Sequence, residues 1–244
     1  MKIQWHMTMP LTGEVVVSRL ATFVIGLTFL VGVGIAYPAQ VRTYDTLTLD
    51  FRLNHIAVIG DSYTTGTGEG GLGPRSWPAR AWDVLAARGE RISADVAAEG
   101  RAGYGMPGDH GSVFEDLTAR AVQRDDVLVV FFGSRNDEPI DAGVIGQKAR
   151  SAFDVARSLA PSARFLVIGP PWPTADVPLP ILQIRDALGA AAAGAGATWV
   201  DPIAERWFVG RPDLIGADGV HPNDAGHQYM ADKIAPLIRT QLST

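Results

Sequence analysis

Apolar residues fall along this chain in two rhythms. Short unbroken runs, Ile56–Ile59, Val127–Phe132 and Phe165–Ile168, are bounded by polar or glycine-bearing turns. Unbroken runs of this length mark strands buried on both faces. A weaker alternation over 91–97 and a short run over 197–200 complete the predicted strands. Between them lie stretches with helical spacing. Ser76 caps a helix over about 77–87 that carries Pro78 in its first turn and stops at Gly89. Further helices are predicted over 113–122, over 141–159 before Pro161, over 180–193, and from a cap at Asn223 or Asp224 to about 241. Strand and helix alternate throughout 54–244. The expectation is a single-domain three-layer α/β/α fold with a parallel sheet and right-handed crossovers. Val127–Phe132, the most hydrophobic strand, belongs at its centre. No internal repeat and no linker to a second domain is visible.

The amino-terminal stretch has a different pattern. After a tail over 1–19, residues Leu20–Val41 contain no charge and lie between Arg19 and Arg42. As a helix this segment spans roughly 33 Å, about one bilayer core. It reads as an uncleaved membrane anchor or as a signal segment cut near Gly34-Ile35-Ala36. Either way the remainder of the chain is expected outside the membrane or exported. Residues 42–53, with Leu47, Leu49 and Phe51 alternating with polar positions, form a tether or an added edge strand.

Composition narrows the options. The chain has 244 residues, is 47% hydrophobic and carries a net charge of -5, so it has no basic footprint for nucleic acid. The absence of cysteine excludes a disulfide framework and thiolate metal sites. No metal-ligand cluster stands out.

The chemistry gathers at predicted carboxyl ends of strands, where open α/β sheets bind ligands. The first strand runs into Gly60-Asp61-Ser62. This is either an ordinary turn or an exposed nucleophile, and a serine hydroxyl needs a base to act as one. The following stretch, Thr64–Pro74, is glycine-rich. Its Gly66-x-Gly68-x-x-Gly71 does not open a helix directly and lacks a phosphate-binding lysine, so a mobile lip beside Ser62 is the preferred reading over a dinucleotide loop. The second strand leads into Glu99–Gly105, another glycine-rich turn, and the third into Gly133-Ser134-Arg135-Asn136-Asp137. Of the five histidines, only His221 has a carboxylate three residues upstream in a turn. There Asp218 can fix the imidazole tautomer and leave the second nitrogen free.

Taken in order, Gly60-Asp61-Ser62, Gly100-x-x-Gly103, Gly133-Ser134-Arg135-Asn136-Asp137 and Asp218-Gly219-Val220-His221-Pro222 resemble the four blocks of the SGNH hydrolases, the GDSL esterases and lipases, over residues 55–240. The resemblance implies a flavodoxin-like sheet and ester hydrolysis without cofactor or metal. It implies Ser62 as nucleophile, His221 as general base and acid, and Asp218 as its orienting group. The oxyanion hole would comprise Ser62, Gly103 and Asn136, with Gly100 as competitor to Gly103. Two departures are visible. The third block has two residues between glycine and asparagine where the pattern has one, and Ala98 stands where the second block often has asparagine. Asp61 and Asp137 read as braces of their turns. Arg135 either meets an anionic substrate group or points to water, the commoner fate of arginine. Trp77, Trp82, Trp199 and Trp207 read as core or rim, and Trp172 is the aromatic best placed to line an acyl or sugar pocket. Small-acyl esters and envelope glycan or lipid esters are the substrates considered. An acyltransferase acting on envelope sugars with the same triad and a non-catalytic surface binding module are the alternatives.

Overall fold

The computed structural model describes residues 53–243. The expected tail, the anchor or signal segment at 20–41 and nearly all of the tether lie outside the described residues. Among those described, no helix is long and apolar enough to cross a membrane.

Five strands, β1 (Asn54–Gly60), β2 (Ile92–Ala98), β3 (Asp126–Phe132), β4 (Arg164–Ile168) and β5 (Thr198–Val200), form one wholly parallel sheet in the order β2-β1-β3-β4-β5. The helices are α1 (Ser62–Thr65), α2 (Trp77–Ala86), α3 (Phe114–Ala121), α4 (Ala142–Leu159), α5 (Leu179–Gly194) and α6 (Asp224–Leu242). The chain steps from β1 out to β2, then returns past β1 and continues the other way. Right-handed crossovers therefore put α2 on one face and α3, α4 and α5 on the other. The core follows that division. Ala57, Ile59, Val129 and Phe131 pack with Phe114, Leu117, Ala149, Phe153 and Leu188. Ile56, Val58, Val130 and Phe132 pack with Trp77, Leu85, Met230, Ile234 and Ile238. Helix α6 thus returns to cover the face opened by α2.

β3 is central and buried on both faces, which is why its sequence is an unbroken apolar run. β2 is an edge strand, and its weak alternation reflects that exposure. The strand order reverses between β1 and β3, the switch point where such sheets bind ligands. Ser62 follows β1 there and Asn136 follows β3.

Candidate active site

The turn after β1 is built for a serine at a helix start. Asp61 caps α1 by accepting a hydrogen bond from the Tyr63 N–H at 2.9 Å. A Cβ on Gly60 would lie 2.1 Å from Thr64 Oγ1, so only glycine lets α1 fold back this tightly on the strand end. Ser62 is thereby placed at the first turn, 8% exposed.

The loop before α6 supplies the partner. His221 Nε2 lies 3.1 Å from Ser62 Oγ, and Nδ1 lies 2.6 Å from Asp218 Oδ2. The other Asp218 oxygen accepts from the N–H groups of Val220 and His221 at 2.8 and 2.9 Å. Desolvation opposes ionisation of this carboxylate, but hydrogen bonds from the His221 ring, the His221 N–H and the Val220 N–H together hold its pKa down to about 2. An ionised Asp218 keeps the proton on Nδ1 and leaves Nε2 to accept from serine. Tyr63 ties the two halves together. Its hydroxyl donates to the Val220 carbonyl at 2.5 Å, and its ring lies 5.9 Å from the His221 ring. No feature of the local sequence marks this tie.

The turns after β2 and β3 are locked to each other. Asp137, fully buried, accepts from the N–H groups of Tyr104, Gly105 and Met106 at 2.8–2.9 Å. The Asn136 amide donates to the Ala102 carbonyl at 2.9 Å, and its second proton makes only a long 3.4 Å contact with Asp61 Oδ2. Burial pushes the Asp61 carboxyl up to about 6, partly offset by its bond from Tyr63. The Gly103 N–H donates to the Met106 carbonyl at 2.8 Å. Gly100 and Arg101, not Gly103, line the cleft of about 450 Å³ that holds Ser62, His221, Thr65, Thr67, Asp109 and His110. Among the described residues, the N–H groups of Ser62 and Gly100 donate to no protein atom. Arg101 sits at φ 64°, a conformation rare for a residue with a Cβ, and pairs with Asp109 at 2.6 Å.

Two expectations are corrected. The glycine-rich stretch after α1 is not a loose lip. Glu69 Oε2 accepts from the Ala217 N–H at 2.6 Å, and the Gly71 N–H donates to Asp224 at 2.9 Å. A Cβ on Gly70 would lie 2.4 Å from the Asp224 nitrogen, so the glycines permit close packing on the Asp218–His221 loop and α6. Arg135 does not point to water. Its guanidinium lies over the Trp172 ring, 4.3 Å from the centroid. Trp172 is half-buried, whereas Trp77 and Trp207 are core residues. Beyond Trp172, Pro173, Val209, Pro212 and Ile215 line an apolar groove of about 510 Å³ that reaches Gly219 in the His221 loop. Among the described residues, no cluster of three His, Asp or Glu is placed to hold a metal ion.

The model of the GDSL-like lipase/acylhydrolase family matches residues 58–229. The chain belongs to this family. The GDSL lipase Rv0518 of Mycobacterium tuberculosis (strain ATCC 25618 / H37Rv) is 70% identical over 228 residues, covering 92% of this chain and 99% of that one. Solved structures share the fold at lower identity. TesA matches at TM-score 0.63 and 23% identity, covering 77% of this chain and 99% of its own. The esterase EstA from Pseudoalteromonas sp. matches at TM-score 0.63 and 17%, covering 78% and 100%. A family two carbohydrate esterase from Clostridium thermocellum matches at 0.62 and 19%, covering 78% and 65%. This member of the GDSL-like family is an esterase/lipase-type hydrolase acting on ester bonds.

Proposed function

We propose that the chain cleaves small-acyl esters or ester-bearing glycans and lipids of the cell envelope through a covalent acyl-enzyme on Ser62. The observation that carries this reading is the relay in which Ser62 Oγ meets His221 Nε2 at 3.1 Å while Nδ1 meets Asp218 at 2.6 Å. Ser62 Oγ attacks the ester carbonyl as His221 takes its proton. The imidazolium, stabilised by Asp218, returns that proton to the departing alcohol. Water, deprotonated by the same nitrogen, then releases the acid and restores Ser62. The oxyanion needs donors already in place. Ser62 N–H is one. Asn136 is the second, because its long contact to Asp61 is easily exchanged for a substrate oxygen. From the second turn we assign Gly100, whose N–H is uncommitted and on the cleft wall, ahead of Gly103. On this reading the catalytic domain works outside the membrane, held by the segment at 20–41 or released after its cleavage.

The test is the initial rate of the full-length chain on 4-nitrophenyl esters from acetate to palmitate, with Ser62→Ala alongside. Rates that vanish in Ser62→Ala support the triad. A steep fall with acyl length assigns small acyl groups, and a maximum at long chains assigns lipid. Wild-type rates no greater than those of Ser62→Ala on every ester refute the proposal. An added alcohol that captures the acyl group in place of water identifies a transferase.

A further inference from the structure

The turn after β3 holds a cation for which the proposed triad has no use. Arg101 on the cleft wall, and Arg75 and Arg211 elsewhere, are each paired with a carboxylate, at 2.6, 2.7 and 2.8 Å. Arg135 is half-buried, and among the described residues no carboxylate pairs with it. Its guanidinium lies instead over the Trp172 ring. Trp172 is fixed in turn by its indole N–H, which donates to the Asp176 carbonyl at 2.9 Å. Stacking orients a guanidinium while leaving its in-plane N–H groups available, and those groups match a carboxylate or phosphate bidentately.

The position is one residue from a proposed oxyanion donor. Arg135 immediately precedes Asn136 and follows the end of β3. It also acts on Tyr63: burial pushes that phenol up, and the nearby Arg135 guanidinium opposes the shift. Tyr63 adjoins Ser62 in sequence and packs against His221. The positive charge is therefore within electrostatic reach of the Tyr63 hydroxyl, one residue from Ser62.

We propose that Arg135, held over the Trp172 ring, is a specificity-determining residue that selects esters carrying a carboxylate or phosphate a few bonds from the scissile carbonyl. This rests on the ester-hydrolase reading above and names the substrate class of that same site. The bond broken and the fate of the proton are unchanged.

The test compares kcat/KM on charged and neutral partners for the full-length wild type, Arg135→Met and Arg135→Lys. On the acyl side the pair is 4-nitrophenyl hemiglutarate against 4-nitrophenyl valerate. On the alcohol side, O-butyryl glycolate and 2-butyryloxyethyl phosphate are each compared with ethyl butyrate. The charged-to-neutral ratio is expected to fall about 10- to 100-fold in Arg135→Met for at least one pair, with partial recovery in Arg135→Lys, as for loss of a charge-assisted contact. The pair that responds identifies the side of the ester and the anion. The ratio cancels any general loss of folding or turnover. A ratio unmoved by Arg135→Met on all three pairs overturns the inference while leaving ester hydrolysis in place. A wild type that cleaves none of these esters in a Ser62-dependent way removes both.

Discussion

His227 gives the sharpest quantitative prediction. It lies inside α6 with 1% exposure, and its Nδ1 accepts the backbone N–H of Trp77 at 3.2 Å. That N–H sits in the first turn of α2 and has no partner within its own helix. Burial depresses the His227 pKa from 6.5 to about 4, against the opposing pull of Asp224. Protonation would also turn the acceptor into a donor facing another donor. The unfolded chain takes up this proton near pH 6.5 and the native chain only near 4. The stability conferred is therefore complete above 6.5 and is lost as pH falls from 6.5 to 4. At about 1.4 kcal/mol per unit, the loss is about 3 kcal/mol. Asp61 acts in the opposite sense. Raised from 3.8 to about 6 by burial, it disfavours the native state above pH 6, and that penalty, also about 3 kcal/mol, is relieved as pH falls from 6 to 3.8. The two nearly cancel, so these groups leave the wild-type profile flat between pH 6.5 and 4. His227→Asn removes one of them while keeping an acceptor for Trp77. Its lost volume adds a pH-independent offset. Urea unfolding at pH 7, 6, 5 and 4.5 is expected to show the wild-type advantage over His227→Asn shrinking by about 2–3 kcal/mol across that range. A difference independent of pH would refute the buried neutral imidazole.

Two further substitutions test how His221, the proposed base, is held. Asp218→Asn places an amide against Nδ1 and favours the wrong tautomer, so kcat on 4-nitrophenyl acetate is expected to fall by about 10³–10⁴; a loss under tenfold would remove Asp218 from the relay. Glu69→Ala leaves the Ala217 N–H without its acceptor, one residue before Asp218. It is expected to lower stability by about 1–2 kcal/mol and kcat by about tenfold, with KM little changed and Glu69→Gln recovering both; an unaltered kcat in Glu69→Ala would mean that the brace does not position the base.

The layered fold was legible because parallel strands buried on both faces leave unbroken apolar runs, and β3 and β4 stand out on that ground alone. Helix ends at Ser76 and Asn223 were legible because their caps are local. Contacts between distant segments were not. Glu69 and Ala217 are 148 positions apart, and Tyr63 and Val220 are 157 apart. A glycine-rich loop packed against a remote helix has the same composition as a free one, which is why the stretch after α1 read as a lip. Arg135 read as solvated because the ring that holds it arrives from the loop after β4. The Asp218-x-x-His221 spacing was readable since both residues occupy one turn. The commitment of the Gly103 N–H to Met106 depends on a backbone path that glycine spacing does not determine.

Ser62 and His221, the proposed nucleophile and base, are 159 positions apart, and α6, which covers one sheet face, follows the His221 loop in the chain. On the proposed mechanism, a chain still being synthesised, or one clipped before residue 218, has the serine without the histidine that would activate it. On that mechanism the appearance of hydrolytic activity during refolding would report that the carboxyl-terminal segment has docked.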